Sequence, residues 1–200
     1  MTTPGGGRRL ARIASAALLA ASVLLFGEGA WIYAKARLAQ VLLHRAWART
    51  LAGGKEVKPW PWADTWPVAR LSIPSARADF IVLAGASGRT LAFGPGHLDG
   101  SAAPGARGNC VLSAHRDTQF ACLRRLSKGD VVAVETRDRR RVRYRVTGAR
   151  VVDRASTGLL DPTGAATLTL VTCYPFDAVI PGGPLRYVVR AEAESAPTPP

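Results

Sequence analysis

The sequence is poor in acid, sulfur and histidine. Fourteen Asp and Glu stand against 27 Lys and Arg, giving a formal net charge of +13. Only three Cys and three His are present. They show no CxxC pair and no His-rich spacing, so no pattern for a zinc site exists. No GxGxxG or phosphate-loop run occurs among the 20 glycines, which removes the usual nucleotide cradles. The basic stretches lack the interleaved aromatics on which bases stack, which speaks against a nucleic-acid partner. No cofactor and no metal are expected.

The cysteines, being three, cannot all pair. Cys110 and Cys122 could bridge in an oxidising compartment. The reading taken instead is that Cys110 replaces an aliphatic residue in a buried strand and Cys122 packs in a short helix.

The excess charge is split. Residues 1–58 carry nine basic and two acidic residues, and residues 59–200 carry eighteen and twelve. About half of the excess therefore flanks the long apolar run, which points to a lipid bilayer. Ile13 to Ala34 is 22 residues, about 33 Å as a helix and enough to span a bilayer. Arg8, Arg9 and Arg12 precede it and favour a cytoplasmic N-terminus. Glu28 reads as a tolerated interfacial charge. Ala34-Lys35-Ala36 has the form of a cleavage site, but the run is longer than a usual signal core, and an uncleaved anchor over 10–36 is favoured. Residues 1–9 form a basic, disordered N-terminus. Residues 37–67 hold a partly amphipathic helix, Leu38 to Leu51, that extends the anchor or lies on the membrane. A stiff Trp/Pro linker follows, with Trp60, Trp62 and Trp66 either packed on the domain or forming an interfacial aromatic belt. His44 falls in the helix and suits an interfacial role.

Gly and Pro are frequent enough for many turns, as in an all-β domain. Strands are expected at Val68–Ile73, Ala78–Ala84, Cys110–His115, Val131–Glu135, Arg141–Val146, Thr167–Cys173 and from Leu185. A long loop covers Leu91 to Gly108, in which His97 is satisfied by turn hydrogen bonds. Phe120 to Leu126 is a short helix. Val142, Tyr144 and Val146 alternate with Arg141, Arg143 and Arg145, so this arginine run is one solvated strand face. Residues from Glu192 on form a flexible tail.

The strand Thr167–Cys173 ends at a cysteine, because Pro175 removes an amide donor and restrains Tyr174. A thiol there sits on a rigid element and faces a loop mouth, which suits a nucleophile. His115 closes another apolar run, and Arg186 begins the last strand. These are the parts of a thiol acyl transfer. An imidazole takes the thiol proton or holds the thiolate, then protonates the leaving amine. A fixed guanidinium stabilises the carbonyl oxygen as it gains charge. Thr172 and Asp117 are candidates for supporting roles; Arg116 and Asp117 read equally as a pair that orients His115 and as an ordinary surface pair.

Thr169-Leu170-Val171-Thr172-Cys173 resembles the sortase signature TLxTC. Asn109–Phe120, NCVLSAHRDTQF, resembles the segment carrying the sortase histidine, and Arg186 falls where the sortase arginine is expected. Trp62–Thr65 followed by Pro67–Leu71 is similar to the entry segment of the sortase class of Gram-negative bacteria. Many sortases have Gly-His-Arg at the histidine; here Ala114, the smallest replacement, precedes His115.

The resemblance runs from about Trp60 to Ala191. It implies a closed or nearly closed β-barrel with short helices over 68–191, on an N-terminal transmembrane helix of the inner membrane, with the barrel in the periplasm. It also implies cysteine transpeptidation. Cys173 would form a thioester with an LPXTG-like motif near a protein's C-terminus, and an amine acceptor would resolve it. The loop over 153–166 would then help form the substrate groove. An L,D-transpeptidase would carry a His-Gly-Cys-type context and an arginine two residues after the cysteine, where this chain has Thr172 and Pro175. The non-enzymatic alternative is an anchored binding module in which the three residues are structural.

Overall fold

The computed structural model describes residues 5–161, 163–180 and 182–194; the side chains at 5–8, 10, 24–26, 28–30, 32 and 157 lie outside that description. The expectations for residues 1–4, for Glu28 and for 195–200 therefore lie outside the described residues. The chain divides into two units, 1–41 and 42–200.

One helix, α1, runs Gly5–Leu51 over 47 residues. No proline falls between Pro4 and Pro59, and Ala and Leu, both strong helix formers, dominate the run. Its part within the first unit shows exposed Ile13, Leu18, Leu19, Val23, Trp31 and Tyr33. Among the described residues no helix is long and apolar enough to cross a membrane.

In the second unit the last turns of α1 bury Leu43 and Trp47 against Ile81 and Leu83. An i, i+4 pair shares one helix face, so that side of the expected amphipathic helix is spent on protein. Gly53, at φ +98°, closes the helix, and the Gly54 amide donates to the Arg49 carbonyl at 3.1 Å. Only glycine takes such a φ without strain. Trp60 then meets Phe93 edge to face at 4.8 Å, while Trp62 is 83% exposed. Of the two readings of the linker, packing on the domain holds for Trp60.

Eight strands follow among the described residues: β1 Pro67–Ile73, β2 Ala78–Ala84, β3 Gly96–His97, β4 Gly108–Ser113, β5 Val131–Thr136, β6 Arg141–Asp153, β7 Ala166–Tyr174 and β8 Leu185–Ala193. They close in the order β1-β2-β3-β4-β7-β8-β6-β5. Closure passes through the two-residue β3, which joins β2 and β4 by two residue pairs each. A short helix, α2, covers Gly88–Leu91, and 3-10 turns cover Pro74–Ala76, Gln119–Arg125 and Thr157–Leu159. The expected all-β barrel with short helices is the fold found.

Alternation sets the two faces. Leu168 and Leu170 of β7, Cys110, Leu112 and Ala114 of the β4 segment, and Val189 and Ala191 of β8 point into the core. Each fully buried Leu contributes about 1.5–3 kcal/mol. Val111, Val171 and Val188 form a separate cluster, with Leu98, Val152 and Leu159 packed on it, and so mark the outer face.

Most strand bounds lie within two residues of expectation, while β3, β6 and β8 add segments not expected as strand. β3 lies inside the expected long loop; a Cβ on Gly96 would overlap the Gly85 carbonyl, so glycine is what lets β3 approach. β6 continues to Asp153, its register shifting between Val146 and Gly148 as it pairs with β8. β8 reaches Ala193, past the expected domain end, and Glu194 then pairs with Arg143 at 2.8 Å and with Arg145. Arg141, Arg143 and Arg145 are exposed while Tyr144 and Val146 are buried, so the arginine run is an outward strand face.

Candidate active site

Strands β7 and β8 and the turn that follows β4 carry the three residues of interest. β7 and β8 are antiparallel, with Cys173 and Arg186 as Cα partners. Residues opposed in this way have side chains on the same face, with Cβ atoms about 4.5–5.5 Å apart. Cys173 is two residues from Val171, and Arg186 two from Val188, so both belong to the outer face.

β4 runs parallel to β7, pairing Gly108 with Ala166 through Ser113 with Val171. Two further bonds carry the pairing beyond the strand. The Ala114 amide donates to the Val171 carbonyl at 3.2 Å, and the Thr172 hydroxyl donates to the Ala114 carbonyl at 2.7 Å. Continued one for one, this register brings His115 level with Cys173. Neighbouring strands lie about 4.8 Å apart, so the three backbones fall within roughly 10 Å.

His115 was expected to end a strand; it lies two residues past Ser113, the last residue of β4. Its carbonyl accepts from the Phe120 amide at 3.0 Å, so the chain is already turning away. His115 is exposed, and Cys173 and Arg186 are half-buried. One Arg186 nitrogen, Nη1, donates to the Gly183 carbonyl at 2.7 Å and the Leu185 carbonyl at 2.8 Å. Nε and Nη2 carry three more donors.

Thr172 is buried, and its bond to the residue before His115 is a tie between the two strands. Asp117 is exposed and makes no hydrogen bond or ion pair among the described residues. Arg116 turns inward, away from the role considered for it. It is 9% exposed, and its Nη2 donates to the Ala178 carbonyl at 2.6 Å and the Ile180 carbonyl at 3.3 Å.

Sequence reasoning also passed over Asn109. It is buried and accepts from the Thr169 hydroxyl at 2.7 Å. Its amide donates to the Leu159 carbonyl at 2.8 Å, which pins the β6–β7 loop over the outer face. The available signal was a polar residue opening an apolar strand. A cleft of about 220 Å³ opens there, lined in part by Asn109, Leu159, Thr169, Val188 and Arg190. It shares the face of Cys173 and begins two strand pairs away.

The other sulfurs are different. All three cysteines are free thiols. Cys110 is fully buried, and burial pushes its thiol up to about 12. Cys122 is also buried and raised for the same reason. Native alkylation with iodoacetamide at pH 8 is therefore expected to label Cys173 well before the others, and all three in urea. Equal native labelling of Cys110, read by peptide mass mapping, would contradict this burial pattern.

His97 sits on β3. Its Nε2 lies 2.9 Å from the Ala102 carbonyl, which can only accept, so Nε2 holds the proton; Ser101 Oγ is 3.1 Å away. These are turn hydrogen bonds. Among the described residues no three His, Cys, Asp or Glu side chains could hold a metal ion.

A family model for the sortase domain matches residues 71–194, well over half of the chain. The chain belongs to the sortase family. It is 32% identical over 120 residues to sortase D of Bacillus subtilis (strain 168), covering 60% of each protein. Its fold matches sortase A from Corynebacterium diphtheriae with a TM-score of 0.61 at 31% identity, over 68% of this chain and 64% of that one. Sortase C-1 from Actinomyces oris gives 0.58 at 31% identity, over 65% and 75%. The chain thus spans less than two thirds of the length of the first two. Sortases are cell-envelope cysteine transpeptidases that act on proteins bearing sorting motifs.

Proposed function

We propose that this sortase cleaves an LPXTG-like motif near a substrate protein's C-terminus. Cys173 attacks the motif's backbone carbonyl, and its sulfur forms a thioester as the amide C–N bond breaks. His115 takes the thiol proton and delivers it to the leaving amine. Arg186 holds the carbonyl oxygen while it is negative, through the guanidinium donors not spent on Gly183 and Leu185. An amine acceptor then attacks the thioester and releases Cys173; water in its place gives hydrolysis. The observation that carries this function is the outer-face alignment of Cys173 with Arg186 across β7 and β8, with the β4 register leading to His115.

The proposal extends to location. The apolar run Ile13–Ala34 serves as a single-pass anchor in the inner membrane, with the barrel in the periplasm. Support comes from its length in the sequence and from the cell-envelope role of sortases. Trp62–Leu71 supports assignment to the Gram-negative class. The boundaries 10–36 and 37–67 are proposed on the same footing; the barrel itself runs on past residue 191, through β8 and the pairs of Glu194 with Arg143 and Arg145.

The test is a quenched-fluorescence peptide carrying a sorting motif, assayed with and without an added amine. Cleavage and an amine-ligated product are expected. Arg186→Ala is expected to lose roughly 10²–10³ in kcat, as for removal of one oxyanion donor. Arg186→Lys should recover little, because a lysine lacks the planar fork that bonds two loop carbonyls and keeps donors free. Full activity in Arg186→Ala would remove Arg186 from the mechanism.

A further inference from the structure

The loop joining β7 to β8, residues 175–184, links Cys173 to Arg186, and two apolar side chains among its described residues stand almost wholly in solvent. Val179 is 96% exposed and Ile180 is 80% exposed. Their backbone is nevertheless held. Arg116, next to His115, donates to the carbonyls of Ala178 and Ile180 on either side of Val179. At the far end, Arg186 holds Gly183, and the Arg154 amide donates to the Pro184 carbonyl at 2.6 Å. Among the described residues, segment 178–180 has no other long-range hydrogen bond.

A buried guanidinium is costly unless its donors are met. Arg116 meets that cost only partly: its Nη1 is buried without an acceptor among the described residues. A charge kept inside under those terms, 62 and 64 residues in sequence from its partners, ties one point of the loop to the His115 turn. A surface role would have left the side chain in water.

We propose that Arg116 is a positioning residue. It fixes Ala178–Ile180 against the His115 turn, so that Val179 and Ile180 form a preset apolar ledge beside Cys173 for the bound polypeptide. This rests on Cys173 being the nucleophile. A loop held before binding spares the substrate the cost of ordering it. The ledge acts in docking, so Arg116 governs KM more than kcat.

The test uses the full chain with Arg116→Met, which keeps a long apolar stem, and Arg116→Lys. Arg116→Met is expected to raise KM about tenfold for the sorting peptide, with kcat within about threefold. Hydrogen exchange in peptides covering 176–184 should quicken, while exchange in β4 and β7 stays as in the parent. Arg116→Lys should recover part of both effects. If Arg116→Met does not fold, the double variant Val179→Ser/Ile180→Ser, altering exposed side chains only, carries the test. It should raise KM similarly with loop exchange unchanged. Unaltered loop exchange in Arg116→Met, or unaltered KM in the double variant, overturns the proposal. Loop exchange does not depend on which residue is the nucleophile. Faster exchange together with activity surviving in Cys173→Ala would locate the failure in the catalytic assignment instead.

Discussion

Replacing Cys173 with alanine is expected to reduce cleavage and transfer to background, a loss of roughly 10⁴-fold or more, since no acyl-enzyme can form. The fold should survive. Cys173 is half-buried at the end of β7, and removing one sulfur there opens no enclosed cavity. Thermal melting should therefore stay near that of the parent, and the loss should appear in kcat. Cys110→Ala provides the opposite pattern. Its side chain is fully buried among barrel residues, so stability should fall by about 1–2 kcal/mol for the lost packing, while chemistry at Cys173 continues. Reversal of these two patterns would place the nucleophile elsewhere.

Replacing His115 with alanine is expected to cost about 10²–10⁴ in kcat/KM, the span of a lost general acid–base. His115 is exposed, and no hydrogen bond of its ring to a described residue competes for it. Little stability should be lost. His97→Ala is the matching control. That ring is tied to Ala102 and Ser101, so its loss should loosen the loop before β4 and leave the proton transfer in place. Assays of both variants, with melting temperatures alongside, separate the two histidines. A His97→Ala enzyme as inactive as His115→Ala would contradict the division.

Much of the barrel was legible because a strand with one buried face writes its period into the sequence. β2 matches its expected bounds, and the alternation of arginine with Val142, Tyr144 and Val146 gave the faces of β6 correctly. What the sequence could not convey was pairing. Two residues cannot display an alternation, so β3 passed as loop. β6 continues past Gly148 only because β8 lies beside it through a register shift. Cys173 and His115 could be chosen by chemistry, but their common level depends on an offset between β4 and β7 that no local pattern encodes.

Arg116 shows the same gap in sharper form. Beside Asp117 it reads as half of a surface pair. Its burial follows from carbonyls more than sixty residues on. Asn109 likewise reads as a strand opener and proves to hold a loop fifty residues away. Both are polar side chains on the histidine-bearing segment, and each pins one of the two loops flanking the outer face.

The central claim is that one sulfur carries the acyl group. Incubating the full chain with a sorting-motif peptide and no amine, then measuring intact mass and mapping peptides, tests it most directly. The account predicts a mass gain equal to the N-terminal peptide fragment, located on Cys173 and released by hydroxylamine as a thioester is. Cleavage of the peptide with no adduct on Cys173, or with the adduct on another residue, would contradict it.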